Sequence, residues 1–502
     1  MPGKYVLGID QGSSGSKAVI IDQHGRVCGL AYRRLERLHP RLGWVEIDPY
    51  AVIQGVAEAV TEAIGQAGIH PQQIVGCGLA GQRNTAFAWD SRDGTPIANP
   101  ITWQDQRTAP LLAELADWPL VIEAQQRLGY APGTYMAALH LAWRNRHHDL
   151  FQEAARSGYL RLGLSPSWIV RSMGHQREHV MDTSLVQAIG LYDIRAGRYW
   201  PEWLDRLDIP DYALPGAVPT LYDFGVLGVT SPAGERAEIP VLAMIGDQQG
   251  ALFGQDCRYT GAAECTHGTA SYVKVFLGQQ APFLDKVYVY NAWHLGRFQT
   301  YCLEAPTTVT GAAIRWMREA HLFTDYNEMD LVAAQEADSG GVVFIPAFTG
   351  LEFPEVDPHM RGTILGLTLG SNRAHLFRAF YESIGYQIRA ILETIQTEAQ
   401  VTVNELLVGG GLSTSDIACQ VQADLLGLPI LRPTFTETTA WAAGLLAGLG
   451  AGLWSTEMEL PPLPGSRQRF DPEMAEEKRH AGYERWQHAV AMTRNWHMPN
   501  MV

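Results

Sequence analysis

The chain has 502 residues, enough for two or three domains, and its 46% hydrophobic and 18% charged residues are those of a well-cored protein rather than a disordered chain or a fibre. The formal net charge of −15 argues against bulk binding to a nucleic-acid backbone, because that requires clustered Lys and Arg to displace counterions. Six cysteines (Cys28, Cys77, Cys257, Cys265, Cys302 and Cys419) contain no C-x-x-C pair, so neither a zinc site nor a disulfide framework is expected, and reduced thiols in a cytoplasm fit.

In chain order, residues 5–9 read as a strand, residues 11–16 as a Gly/Ser loop and residues 17–22 as a second strand, giving a hairpin. The apolar run that meets Asp10 is too short for a signal-peptide core, so export is not expected. Residues 27–32 add a third strand. Val52, Ile53, Val56, Val60 and Ile64 then recur at helical spacing within residues 49–68, which places one helix face on a sheet. Strands are expected over residues 74–79, 85–89 and 241–245.

Residues 262–276 repeat the opening device. Thr266-His267-Gly268-Thr269-Ala270-Ser271 leads into Tyr272-Val273-Lys274-Val275-Phe276, as Gln11-Gly12-Ser13-Ser14-Gly15-Ser16 leads into Lys17-Ala18-Val19-Ile20. Two related halves meeting near residues 247–254 follow from the repeat. Further on, residues 406–408 run into Gly409-Gly410-Gly411, and a helix pattern covers residues 416–426. The apolar stretch 440–454 is shorter than the ~20 residues of a spanning helix and rich in Gly and Ala, so it reads as a packed helix without membrane insertion. Residues 472–492 read as a charged amphipathic helix.

Several familiar motifs are absent or misplaced. Gly76, Gly78 and Gly81 spell G-x-G-x-x-G, but the last glycine leads through Gln82-Arg83-Asn84 to a strand rather than opening a helix for a pyrophosphate, which excludes the dinucleotide reading. No G-x-x-x-x-G-K-[ST], H-E-x-x-H or G-x-S-x-G occurs. His147-His148 reads as solvated helix surface rather than a ligand pair.

Four strand ends followed by polar turns carry the chemistry, since open α/β sheets place ligands there. Asp10-Gln11-Gly12-Ser13-Ser14-Gly15-Ser16-Lys17 offers backbone N–H groups and hydroxyls to phosphate oxygens, and Asp10 offers a carboxylate to Mg2+; the bland alternative is a capped hairpin. Asp247, in Gly246-Asp247-Gln248-Gln249, could accept the proton of a substrate hydroxyl as its oxygen attacks phosphorus, or could simply cap a helix. Thr266 to Ser271 forms a second phosphate clamp or a plain polar turn. Gly409-Gly410-Gly411 lets a flat base or ribose approach the backbone, or makes a tight turn.

Together these strings resemble the FGGY carbohydrate kinases, and within them the glycerol kinases, over essentially the full length. Asp10-Gln11-Gly12-Ser13-Ser14, Gly43-Trp44-Val45-Glu46-Ile47-Asp48-Pro49, Trp103-Gln104-Asp105-Gln106-Arg107-Thr108, Gly246-Asp247-Gln248-Gln249, Pro346-Ala347-Phe348-Thr349-Gly350-Leu351, Arg361-Gly362-Thr363 and Gly366-Leu367 carry the resemblance. It implies an α/β fold of two actin-like (ribonuclease H-like) domains around a catalytic cleft. Residues 1–252 would bind the substrate and residues 253–502 the nucleotide.

The resemblance further implies ATP and Mg2+ as cofactors, a small polyol or sugar as substrate and a homodimer or homotetramer. It implies Asp247 as catalytic base and Asp10 as the metal-side carboxylate. Arg83, Asn84, Trp103, Tyr135, Gln248 and Tyr272 would join Asp247 around the substrate. Gly12, Ser13, Ser14, Lys17, Thr269, Gly311, Gly411 and Ser415 would line the nucleotide site. Asn84 stands where glycerol kinases carry Glu, which leaves a xylulokinase or related pentulose kinase as the alternative substrate reading. An actin-like ATPase or binding module without a sugar acceptor is the alternative from another class.

Overall fold

The computed structural model describes residues 3–282, 284, 286–354 and 356–494 and is built on two seven-stranded mixed sheets, one in each half of the chain. The first half begins with β1 (Tyr5–Gly12), β2 (Gly15–Asp22), β3 (Val27–Arg34), α1 (Pro49–Ala67) and β4 (Ile74–Gly81). It continues through β5 (Gly174–His175), β6 (Val226–Thr230), β7 (Arg236–Gly246) and α2 (Asp247–Gly254). Their sheet order is β3-β2-β1-β4-β7-β6-β5.

The second half contributes β8 (Ala263–His267), β9 (Ser271–Gly278), β10 (Tyr288–Leu295), β11 (Phe298–Pro306), α3 (Gly311–Glu319) and β12 (Leu406–Gly410). It ends with α4 (Asp416–Leu426), β13 (Ile430–Pro433), α5 (Thr438–Gly450) and β14 (Arg467–Phe470), in sheet order β10-β11-β9-β8-β12-β13-β14.

The internal repeat is therefore topological. In the first sheet β3, β2 and β1 are antiparallel, while β4 and β7 follow parallel to β1. In the second, β11, β9 and β8 are antiparallel, while β12 and β13 follow parallel to β8. The Gly/Ser and Gly/Thr loops occupy equivalent hairpins. Boundaries deviate from the sequence pattern: β3 continues through the polar Arg33 and Arg34, and β4 runs on through Ala80 to Gly81. The strand expected over residues 85–89 is Phe87–Asp90 in a separate small sheet, after a turn in which Asn84 has φ 59. The C-terminal helix spans Glu476–Thr493.

The two halves meet through α2 and α5. A Cβ on Gly8 would lie 1.9 Å from the Ala440 carbonyl oxygen and one on Gly78 1.9 Å from that of Ala443, so α5 rests its backbone directly on β1 and β4. The misplaced G-x-G-x-x-G string thus serves helix–sheet packing. Gly254 of α2 repeats the device, with Thr438 oxygen 2.1 Å from its hypothetical Cβ. Although it comes from the second half, α5 covers the first sheet, and one continuous apolar core runs through both halves.

Candidate active site

Parallel register gathers three strand ends. Gln11 pairs with Gly81 and Gly81 with Gly246, so Asp10, Arg83 and Asp247 leave the same edge of the first sheet. Asp247 opens α2, and its Oδ1 accepts from the Gln248 N–H at 2.8 Å. The preceding Gly246 N–H donates to Ser184 Oγ at 2.8 Å, and Ser184 donates to the buried Asp182 at 2.6 Å. That chain fixes the strand end from which Asp247 projects. Burial raises the Asp247 pKa, with the long ion pair to Arg83 opposing the rise, so the carboxylate is made more basic. Its nearest guanidinium contact, Arg83 Nε, is 3.9 Å away.

Arg83 reaches from the first sheet to the second. Its Nη2 donates to both carboxylate oxygens of Glu304, at 2.7 and 2.8 Å, and its guanidinium lies 4.5 Å from the Tyr290 ring centre. Nη1 is buried with no hydrogen-bond partner, as is Oδ1 of the adjacent Asn84. A donor and an acceptor are thus both left without a partner next to Asp247. Tyr130 stacks on Tyr290 at 5.1 Å and faces Tyr135 at 6.3 Å, while Tyr135 donates to the Ala131 carbonyl at 2.5 Å. This aromatic group connects Tyr135 to Arg83. Tyr272, half-buried on β9, lies in the field of Glu304, Arg83 and Asp247.

Trp103 sits half-buried in a loop clamped from both sides. Asp105 accepts from the Val45 N–H and holds Arg107, which also reaches Glu46 and lies 3.8 Å from the Trp44 ring centre. The Gly43–Pro49 string therefore acts as a scaffold for the Trp103 loop. Gln104, beside it, keeps a buried Oε1 without a partner.

On the other side, Gly12, Ser13 and Ser14 form the turn between β1 and β2. The Ser14 carbonyl is held by the Tyr32 hydroxyl at 2.8 Å and the Leu35 N–H at 2.9 Å, and its side chain is exposed. Lys17, cross-strand from Asp10, lies 2.5 Å from Glu437. Asp10 itself is pushed up to about 7, chiefly by burial, with Lys17 opposing and Asp247 and Glu437 reinforcing. Its Oδ1 has no hydrogen-bond partner.

Thr269 is exposed in the second hairpin loop, and its carbonyl accepts from Thr310 N at 2.8 Å. Gly311 N donates to the Gly268 carbonyl at 2.9 Å; a Cβ on Gly311 would stand 2.6 Å from that oxygen, so only glycine closes this contact. β12 runs beside β8, with Gly410 opposite His267, bringing Gly411 next to the Thr269 loop. Ser415 is differently committed: its hydroxyl donates to Asp330 at 2.7 Å and caps α4 by accepting from Ala418 N at 3.0 Å.

The sequence reading did not single out Glu304, Lys274, Glu264 or Glu437. Lys274 and Glu304 were detectable as charges inside the apolar strand runs Tyr-Val-Lys-Val-Phe and Cys-Leu-Glu-Ala, where a charge demands a buried partner. Glu437 carried no such signal, because it lies in a polar turn.

Residues 5–254 match the FGGY family of carbohydrate kinases, N-terminal domain, and residues 263–451 match that family's C-terminal domain. The chain is 35% identical over 496 residues to glycerol kinase 2 of Thermotoga maritima, covering 98% of this chain and 99% of that one. The fold is similar to glycerol kinase of Plasmodium falciparum with ADP, at TM-score 0.89, 23% identity and 98% coverage of both chains. It is also similar to xylulose kinase of Rhodospirillum rubrum, at TM-score 0.85, 21% identity, 97% coverage of this chain and 99% of that one. Two sheets of matching topology, strand ends converging on Asp10, Arg83 and Asp247, and these full-length similarities make the chain a member of the FGGY family of carbohydrate kinases, glycerol kinase-like phosphotransferases that act on an alcohol group.

Proposed function

We propose that the protein transfers the γ-phosphoryl group of ATP to a primary hydroxyl of a small polyol, glycerol to glycerol 3-phosphate. The observation that carries this reading is Asp247: a carboxylate made more basic by burial, at a strand end, with the donor Arg83 beside it. Asp247 accepts the proton of the acceptor hydroxyl, that oxygen bonds to phosphorus, and ADP leaves with the electron pair of the broken P–O bond. Arg83, through Nη1, and Asn84, through Oδ1, orient the other hydroxyls. Trp103, Tyr135 and Tyr272 cover the carbon chain, and Gln248 adds an amide. Water is kept out by closure of the halves, since free water would otherwise take the phosphoryl group.

Residues 1–252 form the acceptor side and residues 253–502 the nucleotide side in this reading. Gly12, Ser13, Ser14, Lys17 and Thr269 address phosphates, while Gly311, Gly411 and Ser415 line the nucleotide pocket. Among the described residues no group of three or more His, Cys, Asp or Glu is arranged to hold a metal by itself. That fits Mg2+, which is held by one or two carboxylates together with phosphate and water. Asp10, with its partnerless buried Oδ1, is the residue that would hold it. When bound, Mg2+ neutralises charge on the phosphates.

The six thiols, none in a disulfide, fit a reducing compartment such as the cytoplasm. We also carry over from the family resemblance a homodimer or homotetramer, which sedimentation tests. The neutral Asn84 amide supports a second acceptor reading, a pentulose such as xylulose. ADP release with ATP, Mg2+ and a panel of glycerol, erythritol, xylulose, ribulose and gluconate decides between them. Release that depends on none of these acceptors overturns the kinase reading.

A further inference from the structure

A row of buried charges crosses the second sheet where it meets Arg83 and Gln248. In the strand register Lys274 on β9 stands between Glu264 on β8 and Glu304 on β11. Their relative exposures are 1%, 0% and 4%, so all three charges are withdrawn from water. Lys274 Nζ forms an ion pair with Glu264 and donates to the Gln248 side-chain oxygen at 2.6 Å. Glu264 is further bonded by the Thr266 hydroxyl at 3.0 Å and the Gln255 amide at 3.5 Å. Glu304 holds Arg83 Nη2. Glu304 at one end of the row and Lys274 at its middle therefore each grip one first-half side chain of the acceptor site.

The row has a net charge of −1 (two Glu against one Lys), and Arg83 brings it to neutrality. Burying four charges is not an efficient way to stabilise a fold, because desolvation offsets most of their attraction. It does fix geometry: a guanidinium anchored through Nη2 and stacked on Tyr290 has one orientation, with Nη1 left buried and unpaired. Likewise, an amide whose oxygen is taken by Lys274 presents its NH2 group elsewhere, so Gln248 becomes a donor toward a ligand.

We infer that Glu304 and Lys274 are positioning residues for the acceptor, acting through Arg83 and Gln248, so that the hydroxyl-binding part of the site is completed by side chains of the second half of the chain. This rests on the kinase reading above. The row makes acceptor recognition depend on residues outside the acceptor half, and it predicts a selective loss of acceptor affinity when the row is cut.

The test compares the wild-type enzyme with Glu304→Gln, Glu304→Asp and the charge-balanced double variant E264Q/K274M, which removes one charge of each sign so that the remaining row stays neutral with Arg83. Acceptor affinity is measured by calorimetry with glycerol, erythritol and xylulose, kinetics by ADP release, and folding by thermal midpoint. Glu304→Gln and the double variant are expected to weaken acceptor binding by about tenfold or more, as misplaced positioning groups do, with the ATP KM changed less than about twofold. Glu304→Asp is expected to recover part of the loss. Folded variants whose acceptor affinity matches the wild type, or whose acceptor and ATP constants rise together, overturn the inference. Wild-type chain that binds a polyol but turns none over overturns the kinase reading while the affinity ratios still decide the row. Wild-type chain that binds no polyol overturns both.

Discussion

Lys17 of the first hairpin and Glu437, the residue before α5, meet at 2.5 Å, so the hairpin we propose as a phosphate clamp is tied to a helix from the other half of the chain. Asp10 and Asp247 lie in the same field, giving three carboxylates and one ammonium. Lys17→Met would leave those carboxylates uncompensated where the proposed function has a polyanion bind. The expected result is a fall in kcat/KM for ATP of about 100-fold, the scale for removing one charge-stabilising donor, measured by initial rates at fixed acceptor. A loss below fivefold would remove Lys17 from the phosphate site.

Asp247→Asn keeps shape and the backbone contact to Gln248 but abolishes the proton acceptor. A drop in kcat of about 10²- to 10⁴-fold is expected, with acceptor affinity nearly unchanged. Full turnover in the variant would show that another group takes the proton.

Asn84 has φ 59, a left-handed conformation that Asn and Asp tolerate better than longer side chains. Asn84→Glu is expected to raise the ratio of glycerol to xylulose activity, by supplying a charged acceptor for two hydroxyls, while costing about 1 kcal/mol of stability from the backbone. Asn84→Asp gains the charge without that strain. An unchanged activity ratio in both variants would detach substrate choice from this position.

The strand–loop–strand device, its repetition and the placement of Asp10 and Asp247 at strand ends were legible because each is encoded within a few consecutive residues. Asn84 and Arg83 were legible as a polar turn after β4. Glu304 and Lys274 were not, since their roles depend on cross-strand register and on a contact 221 residues away along the chain. Periodicity reports which face is apolar; it does not report which buried charge will find which partner. The same limit applies to α5, whose Gly and Ala content marked it as packed without saying that it would lie on the first sheet.

Gly78 is the sharpest test of that packing. Its missing side chain admits the Ala443 carbonyl, which would stand 1.9 Å from a Cβ. Gly78→Ala must therefore push α5 off β4, and a destabilisation of about 1–3 kcal/mol or more is expected in chemical denaturation. Because α5 begins beside Glu437, the displacement is also expected to lower kcat. A variant with wild-type stability would contradict the close approach.

Asp10 makes the pH dependence of stability predictable in sign. Its folded pKa is about 7 against an ordinary value of 3.8, mainly from burial, so the folded state binds this proton more tightly than the unfolded chain. The stabilisation is fully present below pH 3.8 and is lost as pH rises through about 7, when the folded protein must bury the charged form. Asp10→Asn removes that penalty. With divalent cations chelated, the variant is expected to melt above the wild type at pH 8, with the gap closing toward pH 4. Adding Mg2+ at pH 8 is expected to raise the midpoint of the wild type and not that of Asp10→Asn. A constant gap across the pH range would show that Asp10 does not titrate as a buried acid, and equal Mg2+ responses would remove it from the metal site.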